Sequence, residues 1–380
     1  MVKLWSAVSA VLKSLRHAIM HILYHTVCVW KSGKSMDLGN VMLFILQIFG
    51  TMLKEKQLDW VTIDSKTIET FIDDAIVKVS AEYGQAILQE GAKNRYYREQ
   101  LKRIVRRSIK TLQEQLRHGS FRPYAFEKEF RKLYDFDSDN AQNPGGQLLL
   151  RGRIDRIDTC VQGDEVFVKV VDYKAGNHKF DINTLYYGIA LQLAVYLGQT
   201  VKNLEKVYPD QKIVPAAMLY YRTADPILSA EKVMSPDECE NEILKELNNT
   251  GAISARAGIV EALDEGLEGK SVVVPVSKKG NEIKLSNSVY NPVLLNQILD
   301  YAGEKTISLA EAIINGKIDV NPTIIGERDA CQYCAYKGVC GFDSKIAGYE
   351  KEKPEEITAE EFERRRNDGG EIHDGSAESH

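Results

Sequence analysis

Gly152-Arg153-Ile154-Asp155-Arg156-Ile157-Asp158, a turn at Gln162-Gly163-Asp164, and Val170-Val171-Asp172-Tyr173-Lys174 form the stretch that decides the fold of this chain. Two apolar runs flanking a glycine-containing turn predict a hairpin. Alternate residues of a strand share a side, so Asp172 and Lys174 lie on one face, with Asp155 on the neighbouring strand. Two carboxylates and an ammonium can then meet at one end of a sheet. Such a carboxylate pair can hold a hard cation, Mg²⁺ or Mn²⁺, while leaving positions open for water. The bound metal lowers the pKa of that water and stabilises charge building on a phosphate. The plainer alternative is a surface hairpin with ordinary charges. Against it, Val166, Phe167, Val168, Val170 and Val171 read as a strand buried on both faces. An Asp and a Lys at the end of such a strand need a reason to be there.

Outward from the hairpin, strands are predicted at Ala125–Leu133, Gln147–Asp158, Glu165–Lys174 and Ala216–Tyr221, the last closed by Asp225-Pro226. A helix is predicted from about Leu185 to Leu204, and one further strand at Ser271–Val276. Residues 60–118 read as helical, with Leu101, Ile104, Val105, Leu112 and Leu116 forming an amphipathic stripe. Around that stripe lie Arg95, Arg98, Lys102, Arg103, Arg106, Arg107 and Lys110. These cations fit a solvated helix face and a DNA-backbone contact equally well, with Arg98, Lys102, Arg106 and Lys110 as the candidate contacts. Tyr96 and Tyr97 can stack on bases, although core packing is the commoner use of aromatics. The resulting fold class is α/β, a central mixed sheet flanked by helices with the active site at one sheet end. The charged tail beyond residue 347 is expected to be disordered, with room for a short helix at Ala359–Arg366.

The bulk composition agrees with a folded enzyme domain. The chain has 380 residues, 44% hydrophobic and 27% charged, with a net charge of −5. A mildly acidic total argues weakly against a free-standing nucleic-acid binder, though local patches matter more. Residues 1–30 carry scattered cations and no uninterrupted apolar run long enough to span a membrane, nor a clean cleavage site. The expected location is the cytoplasm. Gly33-Lys34-Ser35 and Gly269-Lys270-Ser271 resemble the end of a phosphate-binding loop, but its first glycine is replaced by Cys28 and Asp264. No ATPase motif remains.

Six cysteines are too few for a disulfide scaffold at this length. Three of them form Cys331-x2-Cys334-x5-Cys340, compact enough to converge on one soft metal centre. Spacing alone leaves an iron–sulfur cluster, a structural zinc and a reduced, unliganded trio open.

The sequence G-R-I-D-R-I-D followed by D-Y-K resembles the RecB-family branch of the PD-(D/E)XK nucleases. That family adds Gln-x-x-x-Tyr on the next helix, and Gln192-Leu193-Ala194-Val195-Tyr196 follows here in the same order. A spacing of four puts Gln192 and Tyr196 on one helix face. The resemblance implies Asp155 and Asp172 as metal ligands, with the backbone carbonyl of Tyr173 as a third. It implies Lys174 as the catalytic lysine, and Gln192 and Tyr196 as groups orienting the lysine and the DNA. Glu127 and Glu129 fall in a strand the family also has, where exposed strand charges are the simpler reading. Within the family, the chain from about Met36 to Phe342 is similar to the nuclease module found in AddB-type components of bacterial helicase–nucleases. Those imply a [4Fe-4S] cluster on Cys331, Cys334, Cys340 and one upstream cysteine, clipping the ends of a nuclease domain spanning 36–346. They also imply single-stranded DNA ends as substrate and an AddA-type helicase/nuclease as partner. The similar CRISPR-adaptation exonucleases are a more compact alternative, shorter than the Tyr196–Cys331 interval here.

The N-terminus departs from this pattern. The family carries a cysteine in A-C-x-Y-A-H-F and a metal-binding histidine shortly after L-G-N. Here Leu38-Gly39-Asn40 is followed by Val41-Met42-Leu43-Phe44-Ile45, and the only upstream cysteine is Cys28. Permitted codons for residues 17–33, read in a second frame, yield A-C-Y-Y-A-H-F and Y-G-L-R-L-E-E-R. Residues 1–35 are therefore expected to derive from a displaced reading frame, with a second, smaller slip near Leu43-Phe44-Ile45. A chain lacking both ligands leaves two function classes: a metal-dependent exonuclease, or a catalytically impaired DNA-binding scaffold of the same fold.

Overall fold

The computed structural model describes residues 38–83, 92–136, 146–174, 176–223, 226, 228, 233–314, 320, 322–326, 328–332, 334 and 340–368. The expected displaced frame at 1–35, with Cys28, lies outside them, as does the side chain of Tyr97.

Three helices come first: α1 (Leu38–Glu55), α2 (Ser65–Tyr83) and α3 (Ala92–Arg117). In α1, Val41, Met42, Ile45, Leu46, Phe49, Met52 and Leu53 recur at helical spacing and are all buried. The predicted stripe on α3 is buried too, at Leu101, Val105, Leu112 and Leu116, with Ile104 packed at its edge. Residues 60–118 are thus not one helix but two, entered through an Asp64 side chain that caps α2 by accepting from Lys66 and Thr67.

The sheet follows: β1 (Arg122–Phe136), β2 (Gly146–Gln162), β3 (Glu165–Lys174), β4 (Lys212–Arg222), β5 (Thr250–Ser254) and, after several short elements, β9 (Val289–Tyr290). In space the order is β1-β2-β3-β4-β5-β9. β1, β2 and β3 form an antiparallel meander, β4 runs parallel to β3, β5 is antiparallel to β4, and β9 is parallel to β5. Between β3 and β4 lie α4 (Ile182–Tyr186) and α5 (Gln192–Val207), the crossover that a parallel pair requires. The predicted single helix from Leu185 is therefore broken, and Gly188 turns the chain at φ +77.

Each face of the sheet has its own core. Phe167, Val171 and Tyr173 of β3 pack with α1, α2 and α3. Val166, Val168 and Val170 pack with α5 and with α8 (Pro292–Ile314). β3 is buried on both faces, as its apolar run predicts. No helix among the described residues is long and apolar enough to cross a membrane.

The connection from β4 to α8 contains α6 (Pro236–Glu246), α7 (Ala257–Leu263) and a small sheet of β6 (Gly269–Lys270), β7 (Ser277–Lys279) and β8 (Glu282–Ile283). The strand expected at Ser271–Val276 is not formed. Ser271 Oγ accepts the backbone N–H groups of Val273 and Val274, turning the segment, while Val273, Val274 and Val276 still reach the core. Asp225, half of the expected strand stop, lies outside the described residues.

The C-terminal part also differs from expectation. A hairpin, β10 (Ile324–Ile325) with β11 (Arg328–Asp329), precedes the cysteine segment. Beyond it the charged tail is ordered through residue 368 and ends in α9 (Ala359–Asn367), capped by Thr358. Phe362 is fully buried against Tyr186 and Tyr301, and Arg366 makes a two-pronged ion pair with Glu304. Average composition hides this docking, because Ile357 and Phe362 supply nearly all of its apolar burial. The last residues, 369–380, lie outside the described set.

Candidate active site

The end of β3 carries the site. Asp172 continues the parity of Val168 and Val170, so it points beneath α5 and is 1% exposed. Lys174, two residues on, keeps its side chain partly open to solvent, with Nζ 2.7 Å from Asp172 Oδ2. The first residue of α5, Gln192, joins the two: its Nε2 donates to Asp172 Oδ1 at 3.1 Å, and its Oε1 accepts from Lys174 Nζ at 3.3 Å. Gln192 Nε2 also lies 3.1 Å from the Tyr196 hydroxyl, one turn along the same face. The structure therefore brings together the five residues Asp155, Asp172, Lys174, Gln192 and Tyr196.

Asp155 reaches the site through a defect in the sheet. The ladder between β2 and β3 runs from Gln162↔Glu165 to Arg156↔Val171 and stops. One residue further, the Asp155 carboxylate replaces it by accepting the backbone N–H of Tyr173 at 2.8 Å. Alternation breaks at this point. Ile154 and Ile157 both enter the core under α5, whereas Arg153 lies against Phe44 of α1 and Arg156 against Tyr173. β1 is distorted opposite. Glu127 stands at φ +49, between the pairs Phe126↔Arg156 and Lys128↔Ile154. A non-glycine residue there costs on the order of 1–3 kcal/mol, and such strain collects at functional sites.

Glu127 was expected to be an exposed strand charge, and the structure corrects this. It is 8% exposed, ion-paired to Arg153 at 2.6 Å, and its Oε1 has no hydrogen-bond partner. Burial pushes its carboxyl up, partly offset by Arg153, and the neighbouring Asp172 pushes it further. Strand parity missed Glu127 because parity itself fails at the bulge. Glu129 is exposed, as expected. No histidine stands at the position expected after Asn40. α1 instead places Phe44 with the Arg153 guanidinium 5.2 Å from its ring.

The electrostatics are those of a cation site. Burial pushes the Asp155 carboxyl well up, and Asp172 and Glu127 push it further. Asp172 is raised by burial, against the pull of Lys174. Three carboxylates that raise one another, one with an orphaned oxygen, form an all-oxygen donor set suited to a hard divalent ion. Among the described residues, no three His, Cys, Asp or Glu side chains already stand in a closed metal-holding arrangement. The small glycine of the G-R-I-D motif is explained by contact: a Cβ on Gly152 would lie 2.6 Å from Phe130 and 3.2 Å from Tyr196.

On the opposite face of β2 and β3 lies a second charged group. Asp158, fully buried, pairs with Arg156 at 2.9 Å and Lys169 at 3.1 Å, and Arg156 donates to the Tyr173 hydroxyl at 3.0 Å. These charges brace the two strands from behind.

Of the candidate DNA contacts on α3, two are engaged within the protein. Lys102 pairs with Asp73 at 2.5 Å, and Arg106 grips Glu69 with both prongs. Arg98 is half-buried, Lys110 is exposed, and neither is drawn toward the carboxylates. Cys331, Cys334 and Cys340 line one cavity of about 140 Å³ with Asp329, Phe342, Asp343, Ser344 and Lys351. Burial raises the Cys331 thiol, and Asp329 raises it further. Three thiols around one cavity fit a soft metal centre short of its fourth ligand.

A meander with a parallel crossover strand, bearing Asp, Asp-x-Lys and a helix-borne Gln-x-x-x-Tyr at one sheet end, defines a nuclease fold. The chain matches the family model of the PD-(D/E)XK nuclease superfamily over residues 58–341, and it belongs to that superfamily. It is similar to the B-type subunit of the ATP-dependent helicase/deoxyribonuclease of Clostridium perfringens, 32% identical over 82% of this chain and 27% of that protein. The counterpart from Lachnoclostridium phytofermentans is 32% identical over 86% of this chain and 28% of that protein. The counterpart from Desulforamulus reducens is 32% identical over 81% and 27%. The chain thus spans a little over a quarter of the length of the curated relatives it matches.

Proposed function

We propose that this chain is a divalent-metal-dependent deoxyribonuclease module that cleaves phosphodiester bonds at single-stranded DNA ends within a helicase–nuclease assembly. The observation that carries this reading is the Asp155, Asp172, Lys174 and Gln192 constellation at the rim of the sheet. Asp155 and Asp172, with Glu127 beside them and the Tyr173 carbonyl at the strand end, would hold Mg²⁺ or Mn²⁺. Such an ion supplies an activated water and charge stabilisation on the phosphate. Lys174 is the open member of the group, and its ammonium orients the attacking water and steadies charge on the scissile phosphate. Gln192 fixes both Lys174 and Asp172, so the distance between cation site and lysine is set before DNA arrives. Tyr196 holds Gln192 in turn.

The helicase-bearing relatives support an AddA-type helicase/nuclease as partner, double-strand-break processing as the setting and the cytoplasm as the location. Cys331, Cys334 and Cys340 would hold three corners of a [4Fe-4S] cluster, a structural clip that fastens the C-terminal hairpin to the domain.

Purified protein with Mg²⁺ and end-labelled single-stranded DNA tests the enzyme, beside an Asp172→Ala control. Cleavage by the parent alone is the expected result. Equal product from both proteins would remove the enzyme reading and leave the alternative, a catalytically impaired scaffold of the same fold.

A further inference from the structure

Beyond the carboxylates, the loop after β3 and the hairpin before the cysteines meet. The chain at His178 is anchored by Thr250 Oγ1, which donates to the His178 carbonyl at 2.5 Å. The His178 ring lies against Tyr220, centroids 5.7 Å apart, and Tyr220 is the β4 residue directly beside Asp172. Arg328 arrives from β11, its Nη2 donating to the Lys179 carbonyl at 3.4 Å. Burial, Lys174 and Arg328 together hold His178 below the usual histidine range, which places all three groups within electrostatic reach of one another. Arg328 also acts on Tyr220, as Asp172 does. Among the described residues no carboxylate pairs with Arg328 or His178. The rim of the site beyond Lys174 is therefore positive and open to solvent, while its floor is acidic.

We propose that Arg328 and His178 form a second phosphate site, holding the phosphodiester next to the one at Asp155, Asp172 and Lys174. A planar guanidinium matches phosphate oxygens with two parallel donors, and an uncharged imidazole adds a third. Tyr220 keeps the imidazole upright. The hairpin ties this contact to the cysteine segment. Asp329, adjacent to Arg328, accepts from the Cys331 backbone N–H at 2.9 Å and from Lys351 Nζ at 2.8 Å. What the cysteines hold thus sets where Arg328 points. Arg328 and His178 act as positioning residues here, and the inference rests on the nuclease reading for its ligand.

The test is equilibrium binding of labelled single-stranded DNA by the full chain, in chelator, across a salt series. For single strands, each neutralised phosphate contributes about 0.7 to the slope of log affinity against log salt. Arg328→Ala is expected to flatten the slope by about that amount, and Arg328→Lys to restore it. His178→Ala is expected to weaken binding several-fold at every salt concentration with the slope kept. A structural defect alone would lower the active fraction of protein without changing the slope. Unchanged slope and affinity in both variants, with the parent still cutting DNA, would overturn the second site and leave the nuclease reading intact. A parent that binds DNA with these variant effects but cuts nothing would do the reverse.

Discussion

The carboxylate of Asp155 accepts the backbone N–H of Tyr173 at 2.8 Å, one residue past the point where the β2–β3 ladder stops. A side chain thereby completes the sheet where the backbones part, and the parting lets carboxylates from β1, β2 and β3 face one another. The strands are held together behind this opening by Asp158, Arg156 and Lys169.

Gln192 touches both Asp172 and Lys174, so its loss should mimic loss of a group that orients metal ligands. Gln192→Ala is expected to lower cleavage about 10–100-fold while shifting the melting temperature little. Steady-state rates on single-stranded DNA, with thermal melts alongside, measure this. Full activity would show that the bridge is idle.

At Glu127 two effects oppose each other and can be separated. Glu127→Gly removes a left-handed non-glycine residue and a buried carboxylate with an orphaned oxygen. The metal-free protein should gain about 1 kcal/mol in denaturant titrations, net of glycine's greater freedom when unfolded. Glu127→Gln keeps the strain, so it should gain less. Both variants are expected to weaken Mg²⁺ binding, read by calorimetry. Parent-like affinity in both would place Glu127 outside the cation site.

Asp158 makes stability depend on acid. Burial pushes its carboxyl up, but Arg156 and Lys169 outweigh burial and hold it below the usual range. A carboxyl lowered on folding contributes stability that is fully present above its unfolded pKa, about 4, and is lost as pH falls through its lower folded value. Asp158→Asn should remove this acid-labile component. It should also destabilise the protein at pH 7 by about 3–5 kcal/mol, because two buried cations lose their partner. Denaturant midpoints between pH 7 and pH 3 decide it, and parallel pH curves for parent and variant would refute it.

Phe362 is the plug of the C-terminal helix, seated against Tyr186 and Tyr301. Phe362→Ala is expected to cost about 3–5 kcal/mol. Arg364→Ala is an exposed control on the same helix, with an expected cost of about 0.5 kcal/mol. Thermal unfolding of the two distinguishes a docked helix from a charged tail, since equal melting temperatures would speak for the tail.

Much of the site was legible because it follows short-range periodicity. Asp172 and Lys174 share a face by the two-residue repeat of a strand, and Gln192 and Tyr196 by the four-residue step of a helix. Glu127 was not legible, since two strands change parity at the same point and no local pattern records that. Lys102 and Arg106 looked like surface cations because their partners, Asp73 and Glu69, sit on a different helix. Ser271–Val276 looked like a strand because its valines are buried in either conformation.

By itself the sequence determined the hairpin, the apolar central strand, the amphipathic helices and the chemical type of each catalytic group. All of these depend on residues within a few positions of one another, where backbone geometry leaves little choice. Only the tertiary structure decided that Glu127 joins Asp155, that Phe362 docks the tail, and that Arg328 stands at the rim of the site. Each of those contacts joins residues far apart along the chain, and it is packing and the pairing of buried charge that selects them.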